Sequence, residues 1–98
     1  MNYAQSIAEN ARLYALKELA AQVDGRLNVL LVQHILDLKY GINRSREWTE
    51  TQLRKLAELD AVELLDSEVM IARITRAGRD HLEQRAIIAG VTRPADVE

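Results

Sequence analysis

The chain has 98 residues, of which 48% are hydrophobic and 29% are charged, and its formal net charge at pH 7 is −2. This length and composition are typical of one small domain with a single hydrophobic core, which we expect to span residues 1–90. The sequence contains no cysteine, so disulfide bonds and thiol chemistry are excluded. A slightly acidic chain does not attract nucleic acid through its overall charge, and any such binding must depend on a local basic patch.

The sequence shows neither a membrane-spanning segment nor a secretory one. Its apolar runs are too short to cross a bilayer, and its first residues lack the basic region and apolar core of a signal peptide. Because cysteine is also absent, which suits a reducing compartment, we expect a cytoplasmic protein that does not contact a membrane.

The first predicted element is a helix over residues 3–22, which are rich in Ala, Leu, Glu and Gln and contain neither Gly nor Pro. Asn2 is placed to cap its N-terminus. The apolar residues of this helix cover an arc wider than one core contact needs. The helix is therefore either buried on two sides within its own domain or shared with a second subunit, which Ile7, Ala11 and Tyr14 would then contact.

A turn at residues 23–26 separates this helix from a second one. Asn28 is placed to cap the second helix, which is predicted to end at Tyr40 because Gly41 is typical just beyond a helix C-terminus. The short link that follows has the length found in helix-turn-helix units. We therefore predict a helix-turn-helix over residues 28–60.

The third helix, over residues 45–61, would be the second helix of that unit. Ser45 is a good N-cap, and Leu53, Leu56 and Leu59 recur at a helical spacing that marks a buried stripe. The opposite face carries Arg46, Glu50, Arg54, Lys55 and Glu58.

After residue 61 the apolar residues alternate, which predicts a β-hairpin over residues 62–75 with a tight turn at Asp66-Ser67. Thr75 is placed to cap a final helix over residues 76–89, and a flexible tail is expected at residues 91–98. The chain is thus expected to be mainly helical with a small β-hairpin, in the order α-α-α-β-β-α. Helices followed by a hairpin and a further helix are the order of a winged helix-turn-helix.

A homodimer is the expected assembly, and its candidate interface consists of apolar positions outside the predicted core. On the hairpin, Leu65, Val69 and Ile71 would form an apolar patch away from that core. The full candidate set comprises Ile7, Ala11, Tyr14, Leu65, Val69, Ile71, Ile87 and Ile88.

The exposed face of the third helix is the candidate DNA-binding surface, because recognition helices place their first turns in the major groove. There, Arg can read guanine and Thr can contact a thymine methyl group. The candidates are Arg46, Glu50, Thr51 and Arg54 for bases and Arg44 and Lys55 for phosphates. Trp48 either contacts a base or is a packed or interface aromatic residue. The alternative for the whole face is a solvated surface with ion pairs such as Glu50–Arg54.

No residue pattern points to catalysis or to a metal site. His34 and His81 have no cysteine or carboxylate partner at metal-ligand spacing, and the chain lacks a glycine-rich phosphate loop and a nucleophile elbow. We therefore expect neither enzyme activity nor a cofactor. His34 is expected to be a packed or rim residue, and His81 is expected to be exposed.

The segment Ile74-Thr75-Arg76-Ala77-Gly78-Arg79-Asp80-His81-Leu82 resembles a motif that follows the wing in many small winged-helix regulators. Nearly the whole chain resembles a family of small winged-helix proteins from Mu-like phages and prophages. The further matching residues are Tyr3-Ala4, Ile7-Ala8-Glu9, Ala11-Arg12-Leu13, Gly41-Ile42, Ser45-Arg46, Leu53, Leu56-Ala57-Glu58, Gly90-Val91 and Arg93-Pro94. The resemblance implies a winged-helix fold and a phage context. The chain departs from the family pattern at Asp60, where a glycine commonly ends the recognition helix.

Two functions stay open at this point. The first is a dimeric DNA-binding transcriptional regulator, in which dimerisation doubles the small number of electrostatic contacts with DNA. The second is a phage interaction or assembly module that binds another phage protein and uses the same fold without binding DNA. The basic residues of the third helix favour the first function, whereas the low net charge and Glu68 in the wing favour the second. We adopt binding to double-stranded DNA as the working prediction.

Overall fold

The computed structural model of the chain describes residues 2–65 and 67–97, within which helices pack against a small antiparallel sheet. The elements follow in the order α1 (Tyr3–Ala20), β1 (Arg26–Asn28), α2 (Val29–Tyr40), α3 (Arg46–Glu58), β2 (Val62–Leu65), β3 (Ile71–Ile74) and α4 (Arg76–Leu82). A short 3-10 helix over Pro94–Val97 follows. The predicted turn residue Asp66 lies outside the described residues, and so does Glu98 at the end of the predicted tail.

The helices begin at the N-caps that the sequence predicts. In each of the four helices, the side chain of the capping residue accepts a hydrogen bond from the backbone N–H three positions further on. The bonds are Asn2 to Gln5 at 2.8 Å, Asn28 to Leu31 at 2.9 Å, Ser45 to Trp48 at 3.0 Å and Thr75 to Gly78 at 3.2 Å. Each bond satisfies one of the backbone donors that a helix leaves unpaired in its first turn. At the other end, α2 ends at Tyr40 before Gly41 as predicted, and Gly41 adopts a left-handed conformation with φ of 71°.

The mainly helical chain and its hairpin are confirmed, but the sheet contains a third strand that the sequence analysis assigned to a turn and a helix cap. β1 pairs antiparallel with β3, which lies in the centre of the strand order β1-β3-β2, and Leu27 is opposite Ala72. Gly25 precedes β1 with φ of 70°, and its carbonyl accepts a hydrogen bond from the Ile74 N–H at 3.0 Å. A strand of three residues is too short to show alternation, so only its distant partner identifies it.

The core lies between α1 and the elements that surround it. Leu13, Leu16 and Leu19 of α1 have no exposed surface, and neither have Leu53 and Leu56 of α3. Burial of one such leucine stabilises the fold by about 1.5–3 kcal/mol relative to exposure. These leucines of α1 are therefore buried by the domain itself, whereas Ile7 and Tyr14 on the same helix are half-buried.

One of the candidate dimer residues belongs to this core. Ala11 is only 1% exposed in the single chain, so its assignment to a dimer interface is wrong. The apolar arc of α1 led to that assignment, because periodicity alone does not show that other elements of the same domain cover Ala11.

A close backbone contact at Gly78 packs α4 against the start of the hairpin. A Cβ atom at Gly78 would lie 2.4 Å from the Ala61 carbonyl oxygen and 2.8 Å from Cγ1 of Ile74. That carbonyl accepts a hydrogen bond from the Thr75 N–H at 3.0 Å, and the Thr75 hydroxyl donates to the Asp60 carbonyl at 2.6 Å. The absence of a side chain at Gly78 is thus what allows α4 to approach this closely.

The last helix is shorter than predicted, because α4 ends at Leu82 and not at residue 89. The chain turns at Gln84, which has φ of 60°, and then passes around the imidazole of His81. The Nδ1 atom of His81 accepts a hydrogen bond from the Ile88 N–H at 3.1 Å, and Nε2 lies 2.9 Å from the Thr92 carbonyl oxygen. His81 is 1% exposed, so the prediction that it is exposed is also wrong.

Residues 91–97 differ from the predicted flexible tail, since they are packed against the body of the domain. Val91 is 5% exposed, and Val97 packs against the core. The Thr92 hydroxyl donates to the side-chain oxygen of Asn10 at 2.6 Å. This end of the chain therefore covers part of α1.

Candidate nucleic-acid interface

The packing of α3 separates a buried face from an open one. Thr49, Gln52, Leu53 and Leu56 are its buried residues. The Thr49 hydroxyl donates to the Ser45 carbonyl at 3.0 Å, so this buried polar group is satisfied within the helix. Because these residues fix the rotation of α3, the charged residues between them face outward.

Three of the predicted DNA-binding residues form a ladder along the outward face of α3. Glu50 accepts a hydrogen bond from Nε of Arg46 at 3.1 Å, and its other oxygen lies 3.9 Å from Nη2 of Arg54. The side chains of Arg46 and Arg54 are 41% and 58% exposed. Such pairs at helical spacing contribute about 0.3–0.5 kcal/mol each. The arginines are therefore held weakly and stay accessible to a ligand.

Arg44 and Trp48 lie together before and within the first turn of α3. The guanidinium carbon of Arg44 is 5.7 Å from the centroid of the Trp48 ring, a cation–π distance. Trp48 is half-buried and packs against the core, which favours its packed role over contact with a base. The Arg44 carbonyl accepts a hydrogen bond from the Gln33 side chain at 3.0 Å, which ties the link before α3 to α2.

Thr51 and Lys55 are both exposed on α3. The Thr51 hydroxyl donates to the Glu47 carbonyl at 3.0 Å, so its methyl group is the part free for a contact. Lys55 forms no ion pair with any residue in the two described ranges. Of the candidate set on this helix, Lys55 is thus the cation least restrained by the protein itself.

An open groove of about 450 Å³ separates α3 from the hairpin. One wall carries the Arg46–Glu50–Arg54 ladder, and the other carries apolar residues with a polar rim. The residues of the second wall are Leu64, Leu65, Ser67, Glu68 and Met70. The groove thus places two arginines opposite a wall of the hairpin that carries one acidic residue, Glu68.

Several of the candidate dimer residues line grooves on the surface of the domain. Ile7 and Tyr14 line one groove beside α1, Ile87 and Ile88 line another, and Leu65 lines the groove beside α3. Ile88 packs against the core, whereas Ile87 is 70% exposed. Val69 also packs against the core, and Leu65 pairs with the half-buried Ile71 in the hairpin register. The groove at Ile7 and the groove at Ile87 share Ser6 and Asn10 as lining residues, and a dimer interface that includes them stays a prediction.

A cluster between α1 and α2 sets the position of the helix before α3. The Tyr14 and Tyr40 rings stack with centroids 4.0 Å apart, and Glu18 accepts hydrogen bonds from Lys39 at 2.8 Å and from the Tyr40 hydroxyl at 2.6 Å. Partial burial opposes ionisation of Glu18, but these two bonds outweigh it and hold the pKa of Glu18 below its ordinary value. Burial and the Glu18 carboxylate raise the pKa of Tyr40.

The sequence analysis missed Arg12, which connects α3 to the C-terminal segment. Its Nε donates to the side-chain oxygen of Gln52 at 2.9 Å, and its Nη1 donates to the Gly90 carbonyl at 2.7 Å. Burial lowers the pKa of Arg12 from its ordinary value. Only a polar residue at a buried position of α3, Gln52, could have indicated such a partner from the sequence.

The exposed leucines of α2 are a second feature that the sequence analysis missed. Leu30, Leu31 and Leu38 are 44%, 47% and 71% exposed. The signal in the sequence is that α2 carries apolar residues on more sides than one core contact can cover. Leu31 and Leu38 lie on one side of α2, two helical turns apart, and Leu30 lies beside Leu31. We call these three exposed leucines the apolar stripe of α2.

Among residues 2–65 and 67–97, no helix is long and apolar enough to cross a membrane. In the same part of the chain, no group of three or more His, Asp and Glu residues is arranged to hold a metal ion. No protein-family model matches the chain, and comparisons with curated proteins and with solved structures gave no match.

Proposed function

We propose that this chain is a winged-helix protein that binds double-stranded DNA through α3 and acts as a dimeric transcriptional regulator in a Mu-like phage or prophage. The observation that carries the proposal is the outward face of α3. There, Arg46 and Arg54 line an open groove beside the hairpin. Arg44 and Lys55 are exposed on the same segment.

The conformation at Asp60 supports the family resemblance. Asp60 follows α3 with φ of 62°, in the left-handed region that glycine adopts most readily. This is the position at which related winged-helix proteins commonly carry glycine, and aspartate is among the residues that tolerate such a conformation. The departure from the family pattern therefore keeps the same backbone turn.

The charge of the α3 segment predicts weak and salt-sensitive binding. Four basic residues between Arg44 and Lys55 stand against Glu47 and Glu50. If each cation neutralised one phosphate, the slope of log K against log[salt] would be about −4 for each copy of the chain. The slope would be about −2 if the two carboxylates offset two of the four cations. Two copies on two half-sites would double that dependence.

Binding to a mixed-sequence DNA duplex, measured by fluorescence anisotropy at about 50 and 200 mM salt, tests the proposal. The wild type should bind at the lower salt, and an Arg46→Ala/Arg54→Ala variant should lose that binding. An Arg85→Ala/Arg93→Ala variant changes the charge equally at positions away from α3 and should retain it. Circular dichroism of each variant checks that the fold is intact.

A second candidate is an interaction or assembly module that binds another phage protein. The exposed stripe of Leu30, Leu31 and Leu38 favours it, because small soluble domains rarely leave neighbouring leucines uncovered without a use for them. If the folded wild type does not bind duplex DNA at about 50 mM salt, the regulator proposal is overturned and this second function is favoured.

A further inference from the structure

Glu50 lies between Arg46 and Arg54, one helical turn from each. Its two carboxylate oxygens are divided between them, one 3.1 Å from Nε of Arg46 and the other 3.9 Å from Nη2 of Arg54. The Glu50 side chain is 19% exposed, which is less than half the value of either arginine. Within the described ranges these two arginines are its only ion-pair partners. The carboxylate is therefore fixed at the centre of the most basic part of the α3 face.

This position gives Glu50 a direct effect on an approaching polyanion. DNA phosphates that attract the two arginines also repel the carboxylate between them. The three side chains together present a net charge of +1, and each arginine must loosen its pair with Glu50 before it can bind a phosphate fully. Glu50 thus weakens binding to any duplex that offers only its backbone.

Base edges differ from phosphates because they present hydrogen-bond donors as well as acceptors to Arg46, Glu50 and Arg54. In the major groove, the amino group of cytosine donates a hydrogen bond that a carboxylate accepts, and guanine offers two acceptors to an arginine. Arg46 and Arg54 are eight positions apart, which is about 12 Å along the helix axis. A site with a cytosine opposite Glu50 and a guanine near each arginine would match all three side chains.

We propose that Glu50 is a specificity-determining residue of α3, which lowers affinity for arbitrary duplex DNA and favours sites that place a cytosine amino group opposite it. This inference rests on the DNA-binding function proposed above. It assigns to the ion pairs a role in selecting the ligand and not in holding the fold.

The test compares the wild type with Glu50→Gln and with the matched control Glu58→Gln. Glu58 is an exposed carboxylate on the same helix, and it forms no ion pair with the described residues. All three proteins are measured on one mixed-sequence duplex at several salt concentrations between about 50 and 200 mM. They are also used to select binding sites from a randomised duplex library. Thermal denaturation checks that the variants remain folded.

Glu50→Gln should bind the mixed duplex about tenfold more tightly at about 0.1 M salt, with a salt slope steeper by about 0.9. It should also show a weaker enrichment of cytosine in the selected sites than the wild type, because a neutral amide oxygen is a weaker acceptor than a carboxylate and the amide can pair with adenine instead. Glu58→Gln should behave like the wild type in both measurements. Tighter binding without any change in the selected sequences would overturn the specificity role.

The remaining outcomes separate this inference from the proposed function. If the wild type binds and Glu50→Gln binds no more tightly than Glu58→Gln, the role of Glu50 is overturned and DNA binding stands. If none of the three folded proteins binds duplex DNA even at about 50 mM salt, the proposed function fails, and the inference fails with it.

Discussion

Replacement of Gly78 by alanine sets two effects of opposite sign against each other. Gly78 lies in the first turn of α4, where alanine favours the helix by up to about 1 kcal/mol. The new Cβ, however, would lie 2.4 Å from the Ala61 carbonyl oxygen. Backbone cannot rotate aside as a side chain can, so α4 or the start of the hairpin has to move.

The structure indicates that the steric effect is the larger. Overpacking by one methyl group costs about 1–3 kcal/mol, and the upper part of that range applies because a second contact, with Ile74, would be only 2.8 Å. Displacement of the Ala61 carbonyl also weakens the hydrogen bond from the Thr75 N–H, a loss of about 1 kcal/mol. After the gain in helix propensity is subtracted, we expect Gly78→Ala to destabilise the domain by about 2–3 kcal/mol.

Thermal denaturation measures this change directly. For a domain of this size the midpoint should fall by about 10–20 °C. The matched control is Ala77→Gly at the exposed neighbouring position, which should cost only about 0.5–1 kcal/mol through helix propensity. Propensity alone predicts that Gly78→Ala stabilises the chain, so a variant as stable as the wild type or more so would refute the steric reasoning.

Two further predictions concern buried polar groups. Glu18→Gln should cost about 1 kcal/mol at neutral pH. Lys39 and Tyr40 hold the pKa of Glu18 in the folded protein below its ordinary value of 4.5. Their contribution to stability is therefore present above that ordinary value and is lost as the pH falls from it through the lower pKa of the folded protein. Urea denaturation over this pH range should therefore show a shallower loss of stability for the variant, and an unchanged acid dependence would contradict the assignment. His81→Phe should cost about 2–4 kcal/mol in thermal denaturation, because it leaves the Ile88 N–H and the Thr92 carbonyl without their partner. The control His34→Phe, at an exposed position, should stay within about 0.5 kcal/mol. Equal stability of the two variants would contradict the role assigned to the buried His81 imidazole.

The parts of the fold that were predicted correctly depend on neighbouring residues. Asn2, Asn28, Ser45 and Thr75 cap their helices through bonds to N–H groups three positions further on. The end of α2 is equally local, because Gly41 adopts a left-handed conformation there. Such interactions are present in the sequence itself as short motifs, so they can be recognised without knowledge of the tertiary structure.

The parts that were predicted wrongly depend on residues far apart in the chain. β1 is a strand only because β3 pairs with it. The buried position of His81 depends on the Thr92 carbonyl, which lies 2.9 Å from its Nε2 atom, and nothing near His81 in the sequence indicates that partner. Ala11 was assigned to an interface because periodicity shows which residues are apolar, but not which element covers them.

The candidate site was predicted in composition but not in its internal contacts. The spacing of Arg46, Glu50 and Arg54 places them on one helix face and allows ion pairs between them. The sequence does not show which oxygen of Glu50 contacts which arginine, nor does it show the groove that the hairpin forms beside these residues. The contact between Arg44 and Trp48 likewise depends on the conformation of the link before α3.

The central position of β3 has a consequence for the order in which the chain folds. Its pairing with β2 requires only a short hairpin, whereas its pairing with β1 encloses both α2 and α3. Closure of a loop of that length costs about 3 kcal/mol in chain entropy before any contact compensates for it. The hairpin can therefore form early and by itself, while β1 joins the sheet only after α2 and α3 have brought the two parts of the chain together. Complete sheet formation is thus a late event in folding, and it coincides with the placement of α3.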